Sequence, residues 1–255
     1  MNLSDLPRYT ISVGGETAEV GTAEELAVAL DVLNGLHDRE VLQQLEGHLG
    51  RLIEDPLSFR SVLKSLGPED QVFLVNALAP TLTETLRDAR QLRDTFASLA
   101  HPEVEMRIIE ALSTEGLRSL IGTAEQLAEV VEWVYGECDE ILLRKLGADY
   151  LESIMKNAWE LSEVLANLPP DAQQFLLDAV GVDKLKGYVR DGRDLAYLLR
   201  ALPGTLSTGL IKAIEPEELR GLVGNRADWQ YLWQRLEPAE ADLLEEKLEV
   251  IRGAS

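Results

Sequence analysis

A register of leucines with a period close to 34 residues recurs along most of this chain, and few folds accommodate such a period. The leading leucines of the units are Leu49, Leu82, Leu117, Leu151, Leu185 and Leu219, at successive spacings of 33, 35, 34, 34 and 34 residues. A fixed period of this size is typical of repeat proteins in which each unit covers the apolar surface of its neighbour. With an incomplete unit near Thr17, the pattern predicts about seven repeats.

Helix breakers within one unit indicate how each repeat is built. Pro169 and Pro170 open a segment with apolar residues at helical spacing, and Gly181 closes it. A second short segment spans residues 183–189, and a third spans residues 191–202. Proline favours the first turn of a helix and glycine its C-terminal end. The sequence therefore predicts an all-α fold: a right-handed-type α-solenoid of about seven short three-helix repeats, with units starting near residues 17, 49, 82, 117, 151, 185 and 219.

The N-terminal segment, residues 1–21, has a different pattern. Residues 8–13 alternate in the manner of a β-strand, Gly14 and Gly15 form a turn signal, and residues 17–20 can return as a second strand. We therefore expect a β-hairpin before the helical repeat domain of residues 22–252, and a frayed tail at residues 253–255. Two strands alone are marginally stable, so the hairpin either caps the first repeat or offers an edge to a partner strand.

Helix-capping residues repeat together with the leucines. One column precedes the third helix of each unit and consists of Thr123, Asn157, Asp191 and Asn225. A second, acidic column begins the second helix and consists of Glu115, Asp149, Asp183 and Glu217. Side chains of the first kind accept hydrogen bonds from unpaired first-turn amides, and acids of the second kind are favoured by the helix dipole. Part of the acidity of the chain is therefore explained by helix starts.

The charge balance constrains the partners of the chain. Asp and Glu total 45 against 24 Lys and Arg, which gives a formal net charge of −21. Such an excess repels nucleic acid phosphates and anionic lipids, so we expect neither nucleic acid nor a membrane as the partner. A basic protein partner fits the charge better, and a well-solvated acidic surface is the simplest explanation of all.

Cysteine content and hydropathy bear on the compartment. Cys138 is the single cysteine, which excludes an internal disulfide framework. The sequence has no apolar run of the roughly 20 residues that span a bilayer, and residues 1–5 lack the features of a signal peptide. These observations predict a cytoplasmic protein.

The repeat skeleton, Leu-x-x-Leu-Ile/Val followed by Leu-x-x-Val/Leu-Leu-x-x-Leu-Pro, resembles known α-solenoids in architecture. Its 34-residue period is similar to that of tetratricopeptide repeats, but the Trp, Gly, Ala and Pro positions of that family are not present in register. Three helices per unit resemble Pumilio-type and mitochondrial-terminator-type solenoids. Those families bind nucleic acid with basic concave surfaces, whereas this chain is acidic. The resemblance implies the fold and transfers no functional residue.

No motif for catalysis, a metal or a cofactor is present in the sequence. His37, His48 and His101 lack the spacing of a zinc site, and the chain has neither a phosphate-binding glycine loop nor a nucleophile elbow. Cys138 is flanked by acidic residues, which raise the pKa of a thiol and disfavour a reactive nucleophile. We therefore expect a protein that is not an enzyme, with no catalytic residue, metal or cofactor.

Aromatic residues in columns that are otherwise polar are the candidate partner-binding residues. Interfaces are enriched in exposed Trp and Tyr. By this criterion the candidates are Trp133, Trp159, Tyr197 and Tyr231, with Tyr135 beside Trp133. Local packing over a neighbouring helix is the alternative role for each of them. Trp229 and Trp233 fall in leucine columns, which predicts that both belong to the core.

These observations favour a non-enzymatic protein–protein interaction module, a scaffold, adaptor or inhibitor that presents an acidic solenoid surface to a protein partner. Two alternatives stay open. In the first, ordered acidic rows imitate phosphates and occupy the basic groove of a nucleic-acid-binding protein. In the second, the repeat binds nucleic acid directly, as the Pumilio-like arrays do, against the repulsion expected from its charge.

Overall fold

The computed structural model describes residues 7–33, 35–202, 204–224 and 226–253. The predicted cap Asn225, the first six residues of the N-terminal segment and the last two of the tail lie outside this description. The chain forms two compact units, Met1–Ile121 with Trp133–Leu142 and Gly122–Glu132 with Leu143–Ser255.

Two strands and a long series of short helices follow one another along the chain. The strands are β1 (Tyr9–Val13) and β2 (Glu16–Val20). The helices of the N-terminal half are α1 (Ala23–Leu33), α2 (Asp38–Leu45), α3 (Leu49–Leu52, after a 3₁₀ turn at Glu46–His48), α4 (Pro56–Lys64), α5 (Pro68–Leu78), α6 (Leu82–Leu86), α7 (Ala89–Phe96), α8 (Pro102–Ala111), α9 (Thr114–Leu120) and α10 (Ala124–Val131). Those of the C-terminal half are α11 (Gly136–Leu146), α12 (Ala148–Ile154), α13 (Ala158–Ala166), α14 (Pro170–Val180), α15 (Val182–Tyr188), α16 (Gly192–Ala201), α17 (Gly204–Ala213), α18 (Pro216–Leu222), α19 (Arg226–Trp233) and α20 (Pro238–Gly253).

The prediction of three short helices per repeat is confirmed. Each complete repeat contains a leading helix, a capped helix and a closing helix, in that order. These triplets are α3–α5, α6–α8, α9–α11, α12–α14, α15–α17 and α18–α20, and the incomplete first repeat supplies α1 and α2. Most closing helices begin with proline or glycine. Proline is favoured there because the first-turn amides of a helix have no partner within the helix, and proline has no amide N–H to leave unpaired.

Equivalent helices of successive repeats pack against one another within each compact unit. In the first unit α1 lies against α4 and α5 against α8, and in the second unit α10, α13, α16 and α19 contact in series. The leucine column of the capped helices is buried at these contacts, as Leu127, Leu161 and Leu195 illustrate. Burying a leucine side chain stabilises a fold by about 1.5–3 kcal/mol, which a single short three-helix unit cannot obtain alone.

The N-terminal hairpin is present where the sequence predicts it. Val13 pairs with Glu16 across the two-residue turn, and Gly14 and Gly15 have φ of 64° and 88°. Positive φ at both turn residues is the type I′ geometry that matches the strand twist. The hairpin packs on α1 and α2, with Ile11 buried against them. The hairpin therefore lies against both helices of the incomplete first repeat.

The capping column is also confirmed for the described residues. Thr123 and Asn157 accept a first-turn amide at 3.2 and 2.9 Å, and Asp191 accepts two, at 2.8 and 2.9 Å. Asp55 and Asp88 extend the column into the N-terminal half. The acidic starts of leading helices are found at Glu115, Asp149 and Glu217; the side chain of Asp183 lies outside the description.

No helix in the described part of the chain combines the length and apolarity needed to cross a lipid bilayer.

Candidate functional site

The capped helices present their outward side through positions two, six and ten after the N-cap. These positions share one helix face because they are separated by four residues, close to one helical turn. Trp159 stands two positions after Asn157, and Tyr197 stands six after Asp191. Tyr231 follows Tyr197 by one period, and Trp133 stands at position ten, in the turn after α10.

The structure separates the five predicted aromatic residues into two groups. Trp133, Tyr135 and Trp159 are exposed, at 48%, 44% and 46% of their surface. Tyr197 and Tyr231 are half-buried. The structure brings Tyr197 and Tyr231 together and leaves Trp159 on a separate part of the same unit.

Trp159 lies in a cleft between α10 and α13 that we call the acidic cleft. Its lining residues are Glu125, Ala128, Glu129, Glu132, Trp159, Glu160, Glu163 and Asn167, and its volume is about 270 Å³. Five of these eight residues are glutamates, and the described lining contains neither Lys nor Arg. A concave site that combines carboxylates with an indole ring is chemically suited to a cationic side chain, which pairs with the acids and stacks on the ring.

Helix geometry explains why the glutamates converge. Glu125, Glu129 and Glu132 are spaced by four and three residues, so they form one row along α10. Glu163 follows Trp159 by four residues and faces the same cleft from α13. Glu160 also caps its own helix, since its carboxylate accepts the Lys156 amide at 2.7 Å. That hydrogen bond holds one of the negative charges of the cleft in place.

Tyr197 and Tyr231 form what we call the tyrosine–arginine cluster, with Arg193 and Arg235. The two rings meet edge to face with centroids 6.0 Å apart. The guanidinium of Arg235 lies 3.6 Å from the centre of the Tyr231 ring, and that of Arg193 lies 5.9 Å from it. Hydrogen bonding with Tyr231 raises the pKa of Tyr197. Arg193 also pairs with Asp228 at 3.1 Å, so this cluster is a packed group of two tyrosines, two arginines and one carboxylate.

The core assignment of the two C-terminal tryptophans is wrong. Trp229 is half-buried, and Trp233 exposes 36% of its surface. Their rings stack on each other with centroids 5.0 Å apart. In α13 and α16 this column is buried between capped helices on both sides, but in the described chain α19 is the last capped helix. Trp229 and Trp233 on α19 therefore have no capped helix packed against them on one side.

A pair of buried carboxyl groups near Tyr135 was missed by sequence reasoning. Glu105 and Asp139 expose 0% and 1% of their surface. One Glu105 oxygen accepts the Tyr135 amide at 2.9 Å, while Glu105 Oε2 and Asp139 Oδ1 have no hydrogen-bond partner among the described residues. Burial raises the pKa of each group to about 7, and the Glu105 charge adds to the shift at Asp139. The signal in the sequence is an acid at a position where α5 and α14 carry glutamine.

Cys138 lies beside this pair and is buried. Burial, followed by the charges of Glu105 and Asp139, raises the pKa of its thiol to about 12. The predicted direction of the shift is confirmed, with desolvation as the larger cause. Such a thiol is almost wholly protonated at neutral pH and is a poor nucleophile. Within the described residues, no group of three or more His, Cys, Asp or Glu side chains is placed to hold a metal ion.

Comparison with known proteins adds little to this picture. No protein-family description matches the chain, and no curated protein matches its sequence. Two crystal structures of engineered proteins from a structural genomics consortium align with it at 16% identity each. The first covers 88% of this chain and 97% of its own with a TM-score of 0.41, and the second covers 88% and 71% with a TM-score of 0.34. Likeness at this level carries no argument about function.

Proposed function

We propose that this protein is a non-enzymatic protein–protein interaction module, acting as a scaffold, adaptor or inhibitor, and that it holds a basic segment of a partner protein in the acidic cleft. The observation that carries the proposal is the exposed indole of Trp159 among five glutamates. A lysine or arginine of the partner enters the cleft, pairs with the carboxylates and stacks on the ring.

A contact between a cationic side chain and the indole supports this use of the cleft. A cation over an indole contributes about 0.5–2 kcal/mol, and the larger values apply when the pair is desolvated. The net charge of −21 also accelerates the approach of a basic partner at low ionic strength. The indole therefore determines how long the complex lasts, and the charge determines how fast it forms.

Nucleic acid mimicry is the second candidate, favoured by the row of Glu125, Glu129 and Glu132 along one helix face. In that case the bound partner is a nucleic-acid-binding protein, and DNA or RNA competes with this chain for it. Direct binding of nucleic acid is opposed by the same carboxylates. Retention of the protein on immobilised DNA or RNA at physiological salt would favour that third function instead.

The test uses a fluorescent peptide rich in Lys and Arg, titrated with the full chain and followed by anisotropy. We expect Trp159→Ala to weaken binding about tenfold, chiefly by raising the dissociation rate. The double variant Glu132→Gln/Glu163→Gln should slow association and reduce the salt dependence. Its matched control is Glu245→Gln/Glu246→Gln on α20, which changes the net charge equally at exposed positions outside the cleft.

Equal effects of the two glutamine pairs would mean that bulk charge alone attracts the peptide, and the proposal would fail. Trp133→Ala serves as the control for a general loss of exposed indole, because Trp133 is equally exposed and does not line the acidic cleft. If Trp133→Ala weakens binding as much as Trp159→Ala does, the cleft is not the binding site.

A further inference from the structure

The outer edge of β2 has backbone groups directed away from the hairpin. In a hairpin with a two-residue turn, the residues that flank the turn and every second pair beyond them exchange the ladder hydrogen bonds. Thr17 and Glu19 fall between those pairs, so their amide and carbonyl groups point outward. On β1 the outward amide of Ser12 donates to Gln44 Oε1, and its carbonyl oxygen accepts from Gln44 Nε2, each at 3.0 Å. The described residues give Thr17 and Glu19 no such partner.

An apolar groove runs between this edge and α1. Its volume is about 570 Å³, and its floor includes the buried side chains of Ile11 and Val20. Val28 and Val32, one turn apart on α1, form its wall and expose 62% and 77% of their surface. Ala18 lies on the inward face of the sheet, paired with Ile11, yet it is exposed. The inward face of β2 is thus left uncovered at Ala18, whereas Val20, the next inward residue of the strand, is buried.

Acidic residues border this groove. Glu19, Glu24 and Glu25 contribute to its lining. Arg8 pairs with Glu19 and Glu25 at 3.3 and 3.0 Å. The border therefore carries three carboxylates and one guanidinium. A second copy of this chain would bring the same carboxylates face to face, and like charges opposed across strands are destabilising.

We propose that β2 and α1 form a docking groove for an extended segment of a partner protein, with apolar residues at alternate positions and lysine or arginine between them. The segment adds to the outer edge of β2 as a third strand. Its apolar side chains cover Ala18, Val28 and Val32, and its basic side chains lie on the opposite face, across from Glu19. Backbone pairing supplies affinity, and the alternation supplies specificity. This site lies in the first compact unit and is separate from the acidic cleft of the second.

The decisive probe is an eight-residue peptide of alternating valine and lysine, titrated against the full chain. Two derivatives carry N-methyl groups, either on every valine or on every lysine. Amides of alternate residues face the same edge of a strand, so one derivative blocks pairing with β2 and the other leaves it intact. We expect one derivative to lose at least tenfold in affinity and the other to bind within about threefold of the parent. Equal binding of both would overturn the strand pairing.

Variants test the apolar wall. Val28→Lys/Val32→Lys should weaken binding of the unmethylated peptide at least tenfold. The matched control is Leu57→Lys/Ser61→Lys at two exposed positions one turn apart on α4, which adds the same charge outside the groove and should leave binding unchanged. All four positions are exposed, and thermal unfolding checks that both variants remain folded. Equal losses of affinity in both variants would overturn the proposal. It would also be overturned if a peptide of the same composition, with its valines in one block, bound as tightly as the alternating peptide. A concentration-dependent dimer that excludes the peptide would overturn it too, since a second copy would then occupy the groove.

Discussion

At the scale of single residues, one inward position of the closing helices carries a polar side chain in repeat after repeat. The residues at this position are Gln71, Glu105, Asp139, Gln173 and Ser207, at a constant spacing of 34. Gln71 donates to the carbonyls of Leu63 and Leu66 at 2.8 and 3.1 Å, and Gln173 donates to that of Leu165 at 2.8 Å. A carboxylate cannot donate such a bond, but a protonated carboxyl group can. Burial raises the pKa of Glu105 and of Asp139 to about 7, so each stays protonated at pH values at which an exposed carboxyl group is ionised.

Glu105→Gln should remove a pH dependence from stability. The pKa of Glu105 in the folded chain is about 7, above its value of about 4.5 in an unfolded chain. Its contribution to stability is therefore fully present below pH 4.5 and is lost as pH rises through 7. We expect the variant to gain about 1–3 kcal/mol over the parent at pH 8 and little at pH 5. Urea unfolding at several pH values measures this difference.

Asp139→Asn provides the paired test, because the two carboxyl groups interact. If Glu105 contributes to the raised pKa of Asp139, the double variant should gain less than the sum of the two single variants. A difference between Glu105→Gln and the parent that stays constant from pH 5 to pH 8 would show that Glu105 does not titrate in this range.

At the scale of elements, the leading helices α6 and α9 approach each other closely at a glycine. A Cβ atom on Gly116 would overlap the hydroxyl of Thr83 and would lie 3.0 Å from the Ser113 cap. Gly209, in the middle of α17, has nothing within 4 Å of a Cβ atom. Glycine destabilises a helix interior by roughly 0.5–1 kcal/mol relative to alanine. Packing against Thr83 therefore requires glycine at position 116, whereas no neighbouring atom requires glycine at position 209.

Gly116→Ala should accordingly destabilise the protein by about 1–2 kcal/mol, since overpacking outweighs the gain in helix propensity. Gly209→Ala is the matched control and should stabilise it by about 0.5–1 kcal/mol. Both changes in the free energy of unfolding are read from urea titrations. In a Thr83→Ala background the cost of Gly116→Ala should largely disappear. An unchanged cost there would place its origin elsewhere than the contact between α6 and α9.

Most element boundaries follow from local chemistry. Predicted segments 183–189 and 191–202 correspond to α15 and α16 within two residues, because Gly181 and the Asp191 cap terminate and start helices by local hydrogen bonding. The exposure of Trp233 could not be predicted in this way. Its column is apolar in every repeat, and only the absence of a further capped helix in the described chain uncovers it.

At the scale of the whole molecule, the excess of 21 negative charges opposes compaction. Mutual repulsion among surface carboxylates destabilises a folded chain, and salt screens it over a Debye length that falls from about 30 Å at 10 mM to about 8 Å at 150 mM. Helix capping engages some of these charges, as at Glu25, whose pKa is lowered chiefly by the Gly21 amide. Carboxylates that engage neither a helix start nor a basic side chain add to the repulsion.

Stability should therefore rise with ionic strength. We expect the midpoint of thermal unfolding at pH 7 to increase by a few degrees between about 10 and 150 mM NaCl. Calorimetric scans in NaCl and KCl measure this increase, and agreement between the two salts separates screening from specific cation binding. A decrease in the midpoint would mean that attractive ion pairs, such as Arg193 with Asp228 at 3.1 Å, outweigh the net repulsion.

The sequence by itself determined the repeat, the three helices within it, their caps and the N-terminal hairpin. Each of these depends on interactions between residues close in the chain or repeated at a fixed spacing, so a one-dimensional pattern contains them. Tertiary structure alone decided which outward aromatic residues are exposed and which pack together. Trp159 is exposed, whereas Tyr197 packs against Tyr231. It also decided the burial of Glu105 beside Asp139 and the uncovered groove between β2 and α1. Those features depend on which surfaces neighbouring elements cover, and coverage is a property of packing in three dimensions.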